Sequence, residues 1–203
     1  MSVPDFNRNT NAMLLDKSRF DYFYRSYSRK LYAEKLIPSL LHPFPITTGI
    51  HTAKVFWKGG FPGFEQDWDF PENWSTGKVP GAKDLVVIST HFSKNNYFPI
   101  ISNAVAEIAQ LEIKKDAELT ISFWGELIID GTDIHSFGMI NLGVLMNEGA
   151  LTIQNTQQFC IHNLGLFVNE NELFLDKTIE EGIQESEESS FLNCGEILEL
   201  LVR

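Results

Sequence analysis

The sequence is poor in the features that mark several large classes of protein. It has two cysteines among 203 residues, too few for a disulfide-stabilised scaffold. It has no run of 18 apolar residues, so we expect no membrane-spanning helix, and its first apolar stretch, residues 12–15, is too short for a secretory signal. Sixteen Lys and Arg against 27 Asp and Glu give a net charge of −11, which disfavours nucleic acid and anionic lipid as partners.

The composition is otherwise that of a folded protein with one core, since 43% of the residues are hydrophobic and 21% are charged. The charge is distributed unevenly along the chain. Residues 1–60 hold nine basic and four acidic side chains, a net of +5, whereas residues 61–203 hold seven basic and 23 acidic side chains, a net of −16. We therefore treat the two parts separately.

Residues 1–37 are predicted to form an amphipathic, basic helical extension. No Gly or Pro occurs between residues 11 and 36, and apolar side chains recur there at steps of three and four, at Phe20, Phe23, Tyr24, Tyr27 and Leu31. We expect this helix to dock either on the acidic remainder of the chain or on a separate partner. Residues 38–54 hold three of the eight prolines and predict an extended connector.

An internal repeat runs through the acidic part. Residues 141–153 and 163–175 align without a gap and are identical at six positions. The spacings from Leu127 to Leu151, Leu173 and Ile197 are 24, 22 and 24. Short alternating strands separated by Gly and Asn, without a helical segment, are typical of a β-solenoid.

The predicted fold is therefore all-β. We expect a short right-handed parallel β-helix of about four or five coils in residues 103–203, preceded by an aromatic-rich cap and the first strands in residues 55–102. A two-sheet β-sandwich is the main alternative. The acidic stretch 178–190, with five Glu in thirteen residues, is predicted to be a solvated loop that projects from one coil.

The repeat also predicts which side chains stack, because coils lie about 4.8 Å apart. One aliphatic column should contain the four residues Leu127, Leu151, Leu173 and Ile197. An amide ladder should contain Asn147, Asn169 and Asn193. Glycines are expected at corners where the backbone needs positive φ, namely Gly143, Gly149, Gly165 and Gly195, with Asn171 as a substitute.

The segment before the repeat carries a family resemblance. It holds Trp57, Trp68 and the stretches Asn73-Trp74-Ser75-Thr76-Gly77, Val79-Pro80-Gly81, Asp84-Leu85-Val86-Val87-Ile88 and Phe98-Pro99-Ile100-Ile101. This order resembles the start of β-helical modules in adhesin-like, surface-exposed bacterial proteins of the Bacteroidetes type. The resemblance covers residues 55–175, more than half of the chain.

The resemblance implies a non-catalytic structural or interaction module that binds a protein or a glycan. It also implies a surface or secreted protein, whereas the sequence alone, without a visible secretory signal, predicts a cytoplasmic one. The location is therefore left open.

The cap residues have two interpretations. Trp57, Trp68 and Trp74 could cover the open end of the first coil, where apolar side chains and strand edges need protection. Alternatively they form an aromatic platform for sugar rings, with Asp67, Asp69 and Asn73 as hydrogen-bonding partners of the hydroxyls.

Catalysis by a carbohydrate-active β-helix is the alternative function. Its candidates are Asp130, Asp133 and His135 at one corner, with Glu126 nearby. A catalytic pair needs carboxylates on stacked coils, and the positions one coil after Asp130 and Asp133 are both glutamines, Gln154 and Gln157. We therefore expect no enzyme activity.

No metal or cofactor is expected either. Cys160, His162 and Cys194 lack the paired spacing of a structural zinc site, so we expect Cys160 to pack in the core.

Overall fold

A computed structural model describes residues 54–103, 105–131, 137–156, 159–177 and 182–201. The predicted helical extension, residues 1–37, and the connector as far as residue 53 lie outside the described residues.

The described residues contain sixteen short strands and two single-turn 3-10 helices, Pro71–Asn73 and Lys94–Asn96. The strands are β1 (Lys54–Phe56), β2 (Leu85–Ile88), β3 (Ile100–Ile101), β4 (Val105–Ile108), β5 (Gln110–Ile113), β6 (Glu118–Ile121), β7 (Glu126–Asp130), β8 (Met139–Asn141), β9 (Val144–Asn147), β10 (Ala150–Gln154), β11 (Ile161–Asn163), β12 (Leu166–Asn169), β13 (Glu172–Lys177), β14 (Ile183–Glu185), β15 (Ser190–Asn193) and β16 (Glu196–Leu201).

The strands form three parallel sheets. Sheet I has the order β1-β2-β5-β8-β11-β14, sheet II the order β3-β6-β9-β12-β15, and sheet III the order β4-β7-β10-β13-β16. Each coil supplies one strand to each sheet, so coil 1 is β2–β4, coil 2 is β5–β7, coil 3 is β8–β10, coil 4 is β11–β13 and coil 5 is β14–β16. The described chain is therefore a β-solenoid of five stacked coils, separated by four coil-to-coil steps. Parallel pairing in all three sheets confirms the predicted solenoid and excludes an antiparallel sandwich.

The inward side chains stack in register from coil to coil. Leu151 pairs with both Leu127 and Leu173, and Leu173 pairs with Ile197, as predicted. Leu127, Leu151 and Leu173 are at most 1% exposed. Alternation with a period of two places the intervening side chains on the outer faces of the sheets.

The predicted asparagine ladder is also confirmed. The Nδ2 of Asn147 donates to Oδ1 of Asn169 over 2.7 Å, and the Nδ2 of Asn169 donates to Oδ1 of Asn193 over the same distance. Asn147 is the first residue of the ladder, and it stacks on Ile121 of the preceding coil. The isoleucine side chain has no hydrogen-bond donor, so Oδ1 of Asn147 has no hydrogen-bond partner among the described residues. A second ladder joins Asn141 to Asn163 over 2.9 Å. Amides therefore occupy core columns because each one satisfies the next.

The middle and the exposed end of the first ladder should respond differently to loss of an amide. We expect Asn169→Leu to cost about 2–3 kcal/mol, because it removes a hydrogen-bond acceptor of the buried Asn147 amide and places an apolar side chain against it. Asn193→Leu, the same change at the exposed end, should cost about 1 kcal/mol or less, because Nδ2 of Asn169 keeps the carbonyl oxygens of Asn171 and Glu196 as acceptors. Urea unfolding of the two variants measures the difference, and equal losses would contradict it.

The explanation predicted for the corner glycines is wrong. Gly143, Gly149, Gly165 and Gly195 lie between strands, but none has positive φ, and neither has Asn171. These glycines are needed instead for close approach between coils. A Cβ on Gly165 would lie 2.2 Å from the carbonyl oxygen of Gly143, and one on Gly195 would lie 2.1 Å from that of Asn171. Backbone stacks directly on backbone at both of these corners, and a side chain would separate the coils.

A glycine-to-alanine pair tests this steric origin. We expect Gly165→Ala to destabilise the fold by about 2 kcal/mol or more, because the added methyl group must displace backbone. Gly81→Ala is the matched control, since no atom lies within 4 Å of its added Cβ, and it should change the stability by less than about 0.5 kcal/mol. Equal effects in thermal unfolding would contradict the explanation.

The acidic stretch 178–190 is not one projecting loop. Ile183–Glu185 forms β14, with Ile183 stacked on Ile161, and Ser190 begins β15. The stacking of Ile183 explains the difference, because an apolar residue in register with a core column favours a strand despite its acidic neighbours. Between these strands, Glu187 and Glu188 form an exposed turn.

Candidate functional site

The three tryptophans of the cap are buried. Trp57 and Trp74 are 0% exposed and Trp68 is 1% exposed. Their rings meet edge to face, with centroids 4.8 Å apart for Trp57 and Trp74 and 4.7 Å apart for Trp68 and Trp74. The Nε1 of Trp74 donates to the carbonyl oxygen of Trp68 over 2.7 Å. The cluster belongs to the same core as the inward columns, which is the arrangement expected of a solenoid cap.

This burial restricts the predicted glycan site. A sugar ring cannot stack on tryptophan faces that have no exposed surface. Asn73 is also fully buried, and its Nδ2 donates to the carbonyl oxygens of Phe64 and Asp67 over 2.6 and 3.0 Å. Of the six predicted site residues, Asp67 and Asp69 are exposed at the surface.

The exposed aromatic rings of the cap belong to phenylalanines that the sequence did not single out. Phe64 is 47% exposed and stacks on Phe70, with centroids 4.4 Å apart and planes 7° from parallel. Phe61 is 39% exposed and packs on the other rings through Phe70. Partial burial, followed by the nearby charge of Asp67, raises the pKa of Asp69. An accessible phenylalanine patch with two carboxylates therefore replaces the predicted tryptophan platform.

Two tryptophans in the cap differ in the hydrogen bonding of their ring nitrogen. The Nε1 of Trp68 is buried without a partner among the described residues, whereas that of Trp74 is bonded. We expect Trp74→Phe to destabilise the fold by about 1–2 kcal/mol more than Trp68→Phe, because it leaves a buried carbonyl unpaired while the loss of ring volume is the same. Chemical unfolding measures the difference, and a larger loss for Trp68→Phe would contradict it.

Among the described residues, the predicted catalytic corner gains no second carboxylate. Asp133, His135 and Gln157 lie outside the described residues. Asp130 pairs with Gln154 on the next coil, as predicted, and accepts hydrogen bonds from Nε2 of Gln154 over 3.0 Å and from Nδ2 of Asn155 over 3.1 Å. Glu126 stands opposite Ala150. Neither acid therefore faces another on the adjacent described coil.

The remaining candidate ligands are scattered. Cys160 is buried, as predicted, whereas Cys194 is exposed, and no disulfide joins them. Burial lowers the pKa of His162. Within the described ranges, no three His, Cys, Asp or Glu side chains are grouped closely enough to hold a metal ion.

The outer face of sheet III carries the most distinctive surface of the described solenoid. Its first column contains Glu126, Ala150, Glu172 and Glu196, which pair in register. Its third column contains Asp130, Gln154 and Asp176 on coils 2 to 4 and ends with Leu200 on coil 5. No Lys or Arg occurs among the sheet III side chains that the structure describes. Two columns that include carboxylates thus border this face.

An apolar stripe runs between these columns. On coils 2 to 5 it contains Ile128, Thr152, Phe174 and Leu198, again paired from coil to coil, whereas the same position on coil 1 is Glu107. Leu198 is 50% exposed, and the other three side chains are partly exposed. The outward Val144, Leu166 and Val168 of sheet II are also apolar, but they are at most 4% exposed. The stripe on sheet III is therefore more accessible than these positions of sheet II.

Two exposed aromatic residues stand at the corner that leads into this face. The turn between β6 and β7 has four residues, 122–125, where the equivalent turn on coil 3 has two, 148–149. The longer turn includes Phe123 and Trp124, which are 62% and 76% exposed, with ring centroids 4.7 Å apart. Val105, 63% exposed, pairs with Glu126 at the same end of the face. We call the outward side chains of sheet III with Phe123 and Trp124 the sheet III face.

The sequence contained the signal for this face, although the prediction missed it. The residue that follows each member of the predicted aliphatic column is outward, and reading residues 128, 152, 174 and 198 together reveals the stripe. Aligning these four residues requires the coil-to-coil register, since each coil contributes one residue to the stripe.

The comparisons with known proteins add no family to this geometry. Comparison with protein-family models, with curated proteins and with solved structures found no match. Among the described residues, no helix is long and apolar enough to cross a membrane. The resemblance to adhesin-like β-helical modules therefore stays a prediction.

Proposed function

We propose that this protein is a non-catalytic interaction module, in which a right-handed β-solenoid presents the sheet III face to a protein partner. The observation that carries the proposal is the exposed apolar stripe between columns that include carboxylates. Contiguous apolar surface with a polar rim is typical of protein-binding sites. Phe123 and Trp124 add exposed aromatic surface, the residue type that dominates binding energy at such sites.

A structural role fits the site better than catalysis does. Glu126 and Asp130 stand opposite Ala150 and Gln154, so a pair of catalytic carboxylates held across adjacent coils has no support at this corner. An adhesin-like role at a cell surface, as the resemblance suggests, agrees with a rigid scaffold that presents one face.

Selection from a random peptide library tests the binding role. We expect the full chain to enrich peptides whose binding weakens at least about tenfold in the Phe174→Asp variant. The reason is that a bound peptide would have to desolvate a carboxylate in the centre of the apolar stripe, which costs binding free energy. Leu192→Asp is the matched control, since it places the same charge at an exposed leucine of sheet II and should leave binding unchanged. The absence of any peptide sensitive to Phe174→Asp would overturn the proposed site. A reducing-sugar or unsaturated-product assay that detects turnover would overturn the non-catalytic role.

A glycan is the second candidate partner, supported by the phenylalanine patch of the cap. Stacked Phe64 and Phe70 beside Asp67 and Asp69 combine an apolar platform with hydrogen-bond acceptors. On a glycan array, this role predicts a signal that Phe64→Ala abolishes and Phe174→Asp preserves.

A further inference from the structure

We infer that the partner of the sheet III face is a basic amphipathic helix of about three turns, which lies along the solenoid axis. This inference rests on the proposed interaction role and adds the chemistry of the partner. It is carried by three features of the face, namely its single sign of charge, its width and its length.

The carboxylates of the first border column are not paired with any basic side chain that the structure describes. Glu126, Glu172 and Glu196 form no ion pair with a described residue. On sheet I, by contrast, Glu112 is paired with Lys54 and Lys114. The three carboxylates of this column are thus available to cations from outside, and the same charges repel an anionic or acidic partner.

One carboxylate of the other border lacks part of its hydrogen bonding. The Oδ1 of Asp176 is buried and has no partner among the described residues. Asp176 as a whole is partly exposed, so it adds a carboxylate to the border on this side of the stripe.

The width of the face matches a helix. Glu172 and Asp176 are four residues apart on β13, as Glu126 and Asp130 are on β7. At about 3.3 Å per residue, the two borders are about 13 Å apart. An α-helix with side chains is about 10–12 Å wide, so a helix seated on the stripe reaches both borders with long basic side chains.

The length of the stripe sets the length of the helix. Ile128 and Leu198 are separated by three coil steps, or about 14 Å at 4.8 Å per step. A helix of about ten residues, close to three turns, spans the same distance. Its apolar side chains, one turn apart along one stripe, then meet Ile128, Phe174 and Leu198, while Lys and Arg on both flanks meet the carboxylates.

The test uses the full chain and two synthetic 14-residue helical peptides with the same leucine stripe. One carries Lys and Arg on both flanks, and the other carries Glu at those positions. Binding is followed by fluorescence anisotropy. We expect the basic peptide to bind and the acidic peptide not to bind, with affinity that falls as salt is raised.

Matched charge reversals then locate the site. Glu172→Lys with Glu196→Lys should weaken the basic peptide at least about tenfold, because both changes lie on the border of the face. Glu187→Lys with Glu188→Lys makes the same change in net charge on the exposed turn of coil 5 and should weaken it less than about twofold. Equal losses would show attraction to overall charge and overturn the inference, as would no binding or equal binding of the acidic peptide.

Failure of this inference differs from failure of the proposed function. Library peptides that lose binding in Phe174→Asp but carry no basic residues would leave the interaction role standing and overturn the basic helix. If no library peptide responds to Phe174→Asp, both are overturned.

Discussion

Backbone hydrogen bonding between successive coils is the constraint on which the structure depends. Parallel pairing places each residue directly over its equivalent one coil earlier, about 4.8 Å away. An inward side chain must therefore pack against, or hydrogen-bond to, the side chain at the same position of the next coil. Leucine on leucine satisfies the first condition, and Asn147 on Asn169 on Asn193 satisfies the second. The close approach of Gly165 to Gly143 has the same cause, because there the coils meet through backbone alone.

The register could be predicted from sequence because this constraint leaves a periodic record. Spacings of 24, 22 and 24 were enough to align Leu127, Leu151, Leu173 and Ile197, and the strands pair in that alignment. The reason for each corner glycine could not be predicted, since positive φ and close approach both favour glycine and leave the same residue in the sequence. The strand Ile183–Glu185 was missed for a related reason, because local acidic composition concealed one apolar residue in register.

The candidate site was less predictable than the fold. Tryptophan is typical of both a solenoid cap and a sugar platform, and the difference is burial, which composition does not report. The structure places Trp57, Trp68 and Trp74 inside and leaves Phe61 and Phe64 exposed nearby. The residues of the sheet III face lie one repeat apart in the sequence, and none of them is conspicuous when it is considered alone. A surface of this kind can be predicted from sequence when the coil-to-coil register is combined with the inward–outward alternation along each strand.

Coil stacking also makes the charge of the sheet III face informative. Two carboxylates about 5 Å apart in water repel by about 1 kcal/mol, so an acid repeated on adjacent coils costs stability unless something neutralises it. The chain neutralises Glu112 on sheet I with Lys54 and Lys114, yet it stacks Glu196 on Glu172 with no described base on that face. The apolar stripe beside this column incurs a second cost through its exposure to water. A basic amphipathic partner would remove both costs at once, so the features that destabilise the isolated solenoid are those that would stabilise its complex.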